Sequence, residues 1–101
     1  MNGAPLQQKV VISNPQGFHM RPMAAFAQLA ARYQSSVKVS REGQTVNGKS
    51  ILDLMLLAAA QGTELTLEVA GDDAQEALDA LVALLKSPPE EETPEPPVSQ
   101  T

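Results

Sequence analysis

Short runs of alternating apolar and polar residues are separated along this chain by stretches whose apolar positions recur every three or four residues. The first run, Gln8 to Ser13 (QKVVIS), is β-rich and reads as a strand. Asn14-Pro15-Gln16-Gly17 is loop chemistry. From Pro22 to Tyr33 the chain reads PMAAFAQLAARY, with Met23, Phe26, Ala27, Ala30 and Tyr33 at helical spacing. Pro22 fits the first turn of that helix, where its missing N–H costs nothing. Val37 and Val39 alternate with Lys38 and Ser40, the pattern of a strand with one wet face. Arg41-Glu42-Gly43-Gln44 supplies a turn, and Thr45-Val46-Asn47 returns as a short strand. Ser50 then opens a second helix, ILDLMLLAAA, over residues 51–60, closed by Gln61-Gly62. In ELTLEVA, Glu64 to Ala70, the residues Leu65, Leu67 and Val69 point one way. Gly71-Asp72-Asp73 starts a last helix with Ala74, Leu78, Leu81, Val82 and Leu85 on one stripe.

The order β-α-β-β-α-β-α predicts an α+β two-layer domain, an open-faced sandwich of helices on one face of a four-stranded, mostly antiparallel sheet. The second helix is out of balance. Ile51, Leu54, Leu57 and Ala58 satisfy an inward stripe, which leaves Leu52, Met55 and Leu56 on a second one. An apolar stripe left exposed marks a contact surface, and Met20 and Met23 near the start of the first helix extend it.

Length and charge narrow the field. The 101 residues allow one domain with a modest core, filled by aliphatic side chains because aromatics make up only 3%. The net charge of −5 belongs mainly to residues 87–101, SPPEEETPEPPVSQT, which hold four glutamates and no basic residue. Residues 1–86 carry seven Lys/Arg against eight Asp/Glu. A disordered Pro/Glu tail over 87–101, a flexible stretch over 1–5 and a folded domain over 6–86 are expected. The near-neutral domain with few aromatics argues against a nucleic-acid surface. No apolar run reaches the roughly 18–20 residues of a membrane span, and the first residues lack the pattern of a signal peptide. With no cysteine and a single histidine, neither a disulfide framework nor a zinc site is expected. A cytoplasmic protein without cofactor or metal follows as the simplest reading.

That single histidine, His19, stands at the entrance of the first helix, two residues before Arg21. A helix N-terminus offers unpaired N–H groups and partial positive charge, and arginine adds a planar grip for phosphate or carboxylate oxygens. An imidazole inside a phosphate cradle is the arrangement needed to hold a phosphoryl group covalently. No nucleophile elbow, P-loop or dinucleotide fingerprint competes with it.

The segment GFHMRP at 17–22, followed by an Ala-rich helix, resembles the active-site signature of the histidine-containing phosphocarrier (HPr) family of the bacterial sugar phosphotransferase system. Val46-Asn47-Gly48-Lys49-Ser50-Ile51-Leu52 is similar to that family's regulatory serine site, and the resemblance covers about Val10 to Leu85. It implies an open-faced sandwich whose His19 accepts a phosphoryl group on Nδ1 from phospho-enzyme I and passes it to a histidine of an enzyme IIA domain. By the same resemblance, Arg21 neutralises the phosphate oxygens, and Gly17 and the amide of Met20 help to form the phosphate cradle. Met20, Met23, Ala24, Ile51, Leu52, Met55 and Leu56 would then meet partners. The protein would be a monomeric carrier, not an enzyme. Met20 and Met23 stand where the family has small residues, and Phe18 where Leu or Ile is commoner; these changes are expected to enlarge the rim around His19.

Ser50 has two readings. Ser50-Ile51-Leu52-Asp53 is a capping-box-like pattern, and a serine there stabilises a helix start. The resemblance instead implies a regulatory phosphorylation site, served by an HPr kinase/phosphorylase and read by a transcriptional regulator. Beside the carrier reading stand a regulatory module of a nitrogen-related or catabolite-control branch and an interaction domain with an inert histidine.

Overall fold

The structure, a computed structural model, describes residues 4–57 and 59–86. The residues of the expected acidic tail (87–101), residues 1–3 of the expected flexible start, and Ala58 lie outside the described residues.

Four strands and three helices follow the predicted order: β1 Leu6–Val11, α1 Met20–Ala30, β2 Ser36–Arg41, β3 Gln44–Asn47, α2 Ile51–Met55, β4 Glu64–Ala70 and α3 Ala74–Lys86. The sheet runs β1-β4-β2-β3 with every neighbouring pair antiparallel. Alternation decides its two faces. Val10 pairs with Leu65, Leu67 with Val39, and Val39 with Val46, so these buried side chains line the inner face. Lys9, Thr66, Ser40 and Thr45 form a polar row on the other, with the Ser40 and Thr45 hydroxyls 2.8 Å apart. The β2–β3 turn places Glu42 and Gly43 at φ +52° and +85°, the two-residue connection that suits the twist of a hairpin.

The inner face is covered by helices. Pro22, Met23, Phe26, Ala27 and Ala30 of α1 are buried, and so are Ala74, Ala77, Leu78, Leu81, Val82 and Leu85 of α3. Small alanines let these helices approach closely, while Phe26 and Leu81 fill the centre without exposure. Among the described residues, no helix is long and apolar enough to cross a membrane.

The second helix is shorter than the predicted span 51–60. It ends at Met55. The Leu57 amide turns back to the Leu54 carbonyl (3.1 Å), a tightened last turn. Beyond it, carbonyls are taken by donors from elsewhere: Arg41 Nη1 donates to Leu57 O (2.6 Å) and Phe18 N to Ala59 O (2.8 Å). These bonds hold the chain out of the helical path. Gly62, at φ +90°, therefore closes no helix; it sits in the turn before β4 and donates its N–H to Ile12 O (2.8 Å).

Candidate functional site

The loop from Ile12 to Phe18 carries the histidine into place. The Asn14 side-chain Oδ1 accepts from Gln16 N (3.3 Å) and its carbonyl from Gly17 N (2.8 Å), which folds the loop into a tight turn. Phe18 then plunges into the core, 4% exposed, with its ring edge-on to Phe26 at 5.9 Å and 79°. Gly17 is buried at φ +76°, and a Cβ there would stand 2.6 Å from Ala59 O. The loop is thus clamped on the 59–60 segment at Gly17 and in the core at Phe18. His19 is the next residue.

His19 is the N-cap of α1, with extended backbone (φ −97°, ψ −171°) and its carbonyl accepting from Met23 N (2.9 Å). Its side chain makes no capping bond. The half-buried ring instead turns Nε2 toward Asn14, whose Nδ2 is 3.4 Å away. Gln16, His19, Met20 and Arg21 line a shallow recess of about 480 Å³. The first turn of α1 contains no acidic residue, so the positive end of its dipole is not offset from within the helix. Imidazole, guanidinium and helix end thus meet in one open recess, which suits a phosphate-sized anion. A larger hollow, about 600 Å³, lies beside β2 and β3 with Lys38, Asn47, Lys49 and Asp53 in its lining. It holds no histidine, and its one carboxylate already accepts from Asn47 N (3.1 Å), so group-transfer chemistry points to His19.

Three of the sequence expectations need correction here. Met23 is 5% exposed and belongs to the core, because one face of α1 must lie on the sheet; it neither widens the rim around His19 nor extends the apolar surface. Phe18 is likewise core, which leaves Met20, 54% exposed, as the rim residue. Gly17 is required by the close approach of residues 59–60, and it does not line the recess. Two polar neighbours were not singled out from the sequence: Asn14 and Gln16. The Asn-Pro-Gln-Gly run signals a turn, but nothing in it says that the asparagine amide reaches a ring five residues on.

The predicted apolar surface is otherwise present. Leu52, Met55 and Leu56 are exposed on α2 and its exit, at 76%, 46% and 62%, whereas Leu54 and Leu57 are fully buried. Ala24 and Ile51 are half-buried. Ser50 is the N-cap of α2, its Oγ accepting from Asp53 N (3.2 Å). The reciprocal half of a capping box is absent: Asp53 reaches Asn47 N, and Ser50 N donates to Asn47 O (3.2 Å).

Comparison with known proteins agrees with this geometry. The family model described as the PTS HPr component phosphorylation site matches residues 6–87. The chain is 49% identical over 80 residues to the phosphocarrier protein HPr of Cupriavidus necator, covering 79% of this chain and 90% of that protein. It is 46% identical over 81 residues to the HPr-like protein Crh of Bacillus subtilis, covering 80% and 95%. The crystal structure of a phosphocarrier protein HPr from Bacillus anthracis superposes with a TM-score of 0.77 at 41% identity, covering 80% of this chain and 96% of that one. The strand order, the three helices on one face and the histidine at the first helix entrance have their counterpart in these matches, and the chain belongs to the HPr family of phosphocarriers of the phosphotransferase system.

Proposed function

We propose that His19 is the phosphoryl acceptor of a cytoplasmic, monomeric carrier, loaded by phospho-enzyme I and discharged to a histidine of an enzyme IIA domain in sugar uptake. The observation that carries this reading is the position of His19: an N-cap whose ring makes no cap bond, sharing an open recess with Arg21. On loading, Nδ1 forms a bond to phosphorus as the donor's N–P bond breaks, and the Nδ1 proton passes to the ring nitrogen vacated on the donor. The guanidinium of Arg21 spreads over the phosphate oxygens, and the amide of Met20 adds a donor at the positive end of α1. The recess is open on one side, so two partner histidines can use it in turn. Met20, Leu52, Met55 and Leu56, with the half-buried Ala24 and Ile51 behind them, form the surface these partners meet.

A regulatory reading is favoured by a different observation, the 46% identity to an HPr-like protein, Crh, together with Ser50 at the start of α2. In it an HPr kinase/phosphorylase phosphorylates Ser50, and a transcriptional regulator reads the result. A phosphate there adds charge beside the apolar residues Ile51 and Leu52 and beside Asp53, weakening docking of an acidic partner.

Incubation with enzyme I and phosphoenolpyruvate, read by intact mass, tests the first reading. One acid-labile phosphate on the wild type and none on His19→Ala is expected; no phosphate on the wild type, with an enzyme I active on another carrier, rejects it. A stable phosphate added by an HPr kinase and lost in Ser50→Ala tests the second.

A further inference from the structure

The ring nitrogen that faces Asn14 is not the one that the carrier reading assigns to phosphate, and that difference gives Asn14 work to do. The side-chain amide of Asn14 has one orientation set from outside: Oδ1 accepts the Gln16 N–H at 3.3 Å, so Nδ2 is the atom presented to His19 Nε2 at 3.4 Å. An NH₂ group only donates, so Nε2 must meet it with a lone pair. Protonation of Nε2 would set two donors against each other. The loop leaves Asn14 little room to turn away, because its backbone carbonyl is held by Gly17 N (2.8 Å) and the loop is fixed at Gly17 and Phe18.

We propose that Asn14 is a positioning residue that keeps His19 Nε2 unprotonated, and thereby lengthens the life of the phosphoryl group on Nδ1. This rests on the reading of His19 as the acceptor. A phosphoryl group on Nδ1 leaves readily when Nε2 carries a proton, because the electrons of the breaking P–N bond then return to a cationic ring and leave it neutral. With Nε2 unprotonated the same cleavage must expel an imidazolide. In hydrolysis, water attacks phosphorus, the P–Nδ1 pair returns to Nδ1, and the products are inorganic phosphate and an imidazole that takes up a proton. By donating to the Nε2 lone pair, Asn14 holds the ring in its slower-leaving form between donor and acceptor. In the free protein the same donor selects the tautomer with hydrogen on Nδ1. Other charge is sparse here: the loop 12–18 and the segment 59–62 contain no ionisable side chain, and Arg21 is the charged residue lining the recess.

Two variants separate the ring contact from the loop. Asn14→Ala removes both the Gln16 acceptor and the donor to the ring. Asn14→Asp keeps an oxygen for Gln16 N but presents an acceptor to Nε2, inverting the preference while preserving the turn. Long-range ¹H–¹⁵N spectra of the unphosphorylated proteins should show an unprotonated Nε2 in the wild type and an Nε2–H tautomer in Asn14→Asp, with Asn14→Ala between them. After loading with enzyme I and phosphoenolpyruvate and removal of the donor, the phosphoprotein should hydrolyse roughly 3- to 10-fold faster in Asn14→Ala, the effect of about one hydrogen bond, and faster again in Asn14→Asp. An Nε2–H tautomer in the wild type, or equal lifetimes in all three proteins, overturns the proposal. A wild type that cannot be loaded rejects the carrier reading instead, and the tautomer spectra then still decide whether Asn14 sets the ring.

Discussion

Asp73 and Ser35 are 38 residues apart in the chain, yet one Asp73 carboxylate oxygen accepts from both the Ser35 hydroxyl and the Ser35 backbone N–H, the latter at 2.9 Å. The second oxygen accepts from Gln34 N, also at 2.9 Å. One side chain at the start of α3 thus satisfies the backbone of the turn that leads from α1 into β2. Gly71 completes the fit, because a Cβ at that position would stand 2.5 Å from Ser35 Oγ.

These bonds favour the ionised carboxylate. The Ser35 hydroxyl, followed by the Gln34 amide, holds Asp73 below its ordinary value of 3.8. A group whose value is lowered by folding contributes stability that is complete above its unfolded value and lost as pH falls through its folded one. Asp73→Ala should therefore lower the melting temperature at neutral pH, and the gap to wild type should narrow as pH is taken below about 4. Thermal unfolding at several pH values measures this; a gap independent of pH would show that the carboxylate's charge is irrelevant.

Ser50→Ala removes the acceptor for Asp53 N and should cost about 0.5–2 kcal/mol in denaturant unfolding. A five-residue helix has few other bonds with which to hold its start. Loading of His19 should be retained, since Ser50 does not line the His19 recess. Loss of loading with stability intact would place Ser50 in the transfer step itself.

Gly17→Ala brings a methyl group against Ala59 O and demands a left-handed backbone from an L-residue. A destabilisation above about 1 kcal/mol is expected. Because the clamp precedes His19 by two residues, phosphoryl loading should fall as well. A stable, fully active Gly17→Ala would mean that the loop has slack.

Leu52 and Met23 give opposite outcomes. Leu52→Glu, at a position 76% exposed, should leave stability within about 0.5 kcal/mol while slowing transfer from phospho-enzyme I. Met23→Ala empties part of the core and should cost about 2–5 kcal/mol. Unfolding and transfer rates measured on both variants check the division between surface and core.

The order of elements was legible because period-2 and period-3.6 runs are each long enough to be told apart here. β4, with Leu65, Leu67 and Val69 buried between exposed or half-buried neighbours, needed no tertiary information. The length of α2 did, since Arg41 and Phe18 capture carbonyls beyond its end from positions far away in sequence. Met23 was misplaced for a related reason: methionine suits both surface and core, and only the way α1 lies on the sheet decides. Within the site, His19 and Arg21 stood out by residue type and by their place at a helix start. Asn14 did not, because its contact depends on a turn geometry that residue identity leaves open.

The strand order has a consequence for biosynthesis. β4 is the last strand made, and it is an inner one, joining β1 to β2. A ribosome that has released residues up to Asn47 has produced the β2–β3 hairpin but leaves β1 with no neighbour to pair with. Until residues 64–70 emerge, Val10, Val37 and Val39 lack the row that buries them. The half-made chain is therefore an open apolar ribbon, and assembly of the sheet waits on one seven-residue segment near the end of the message.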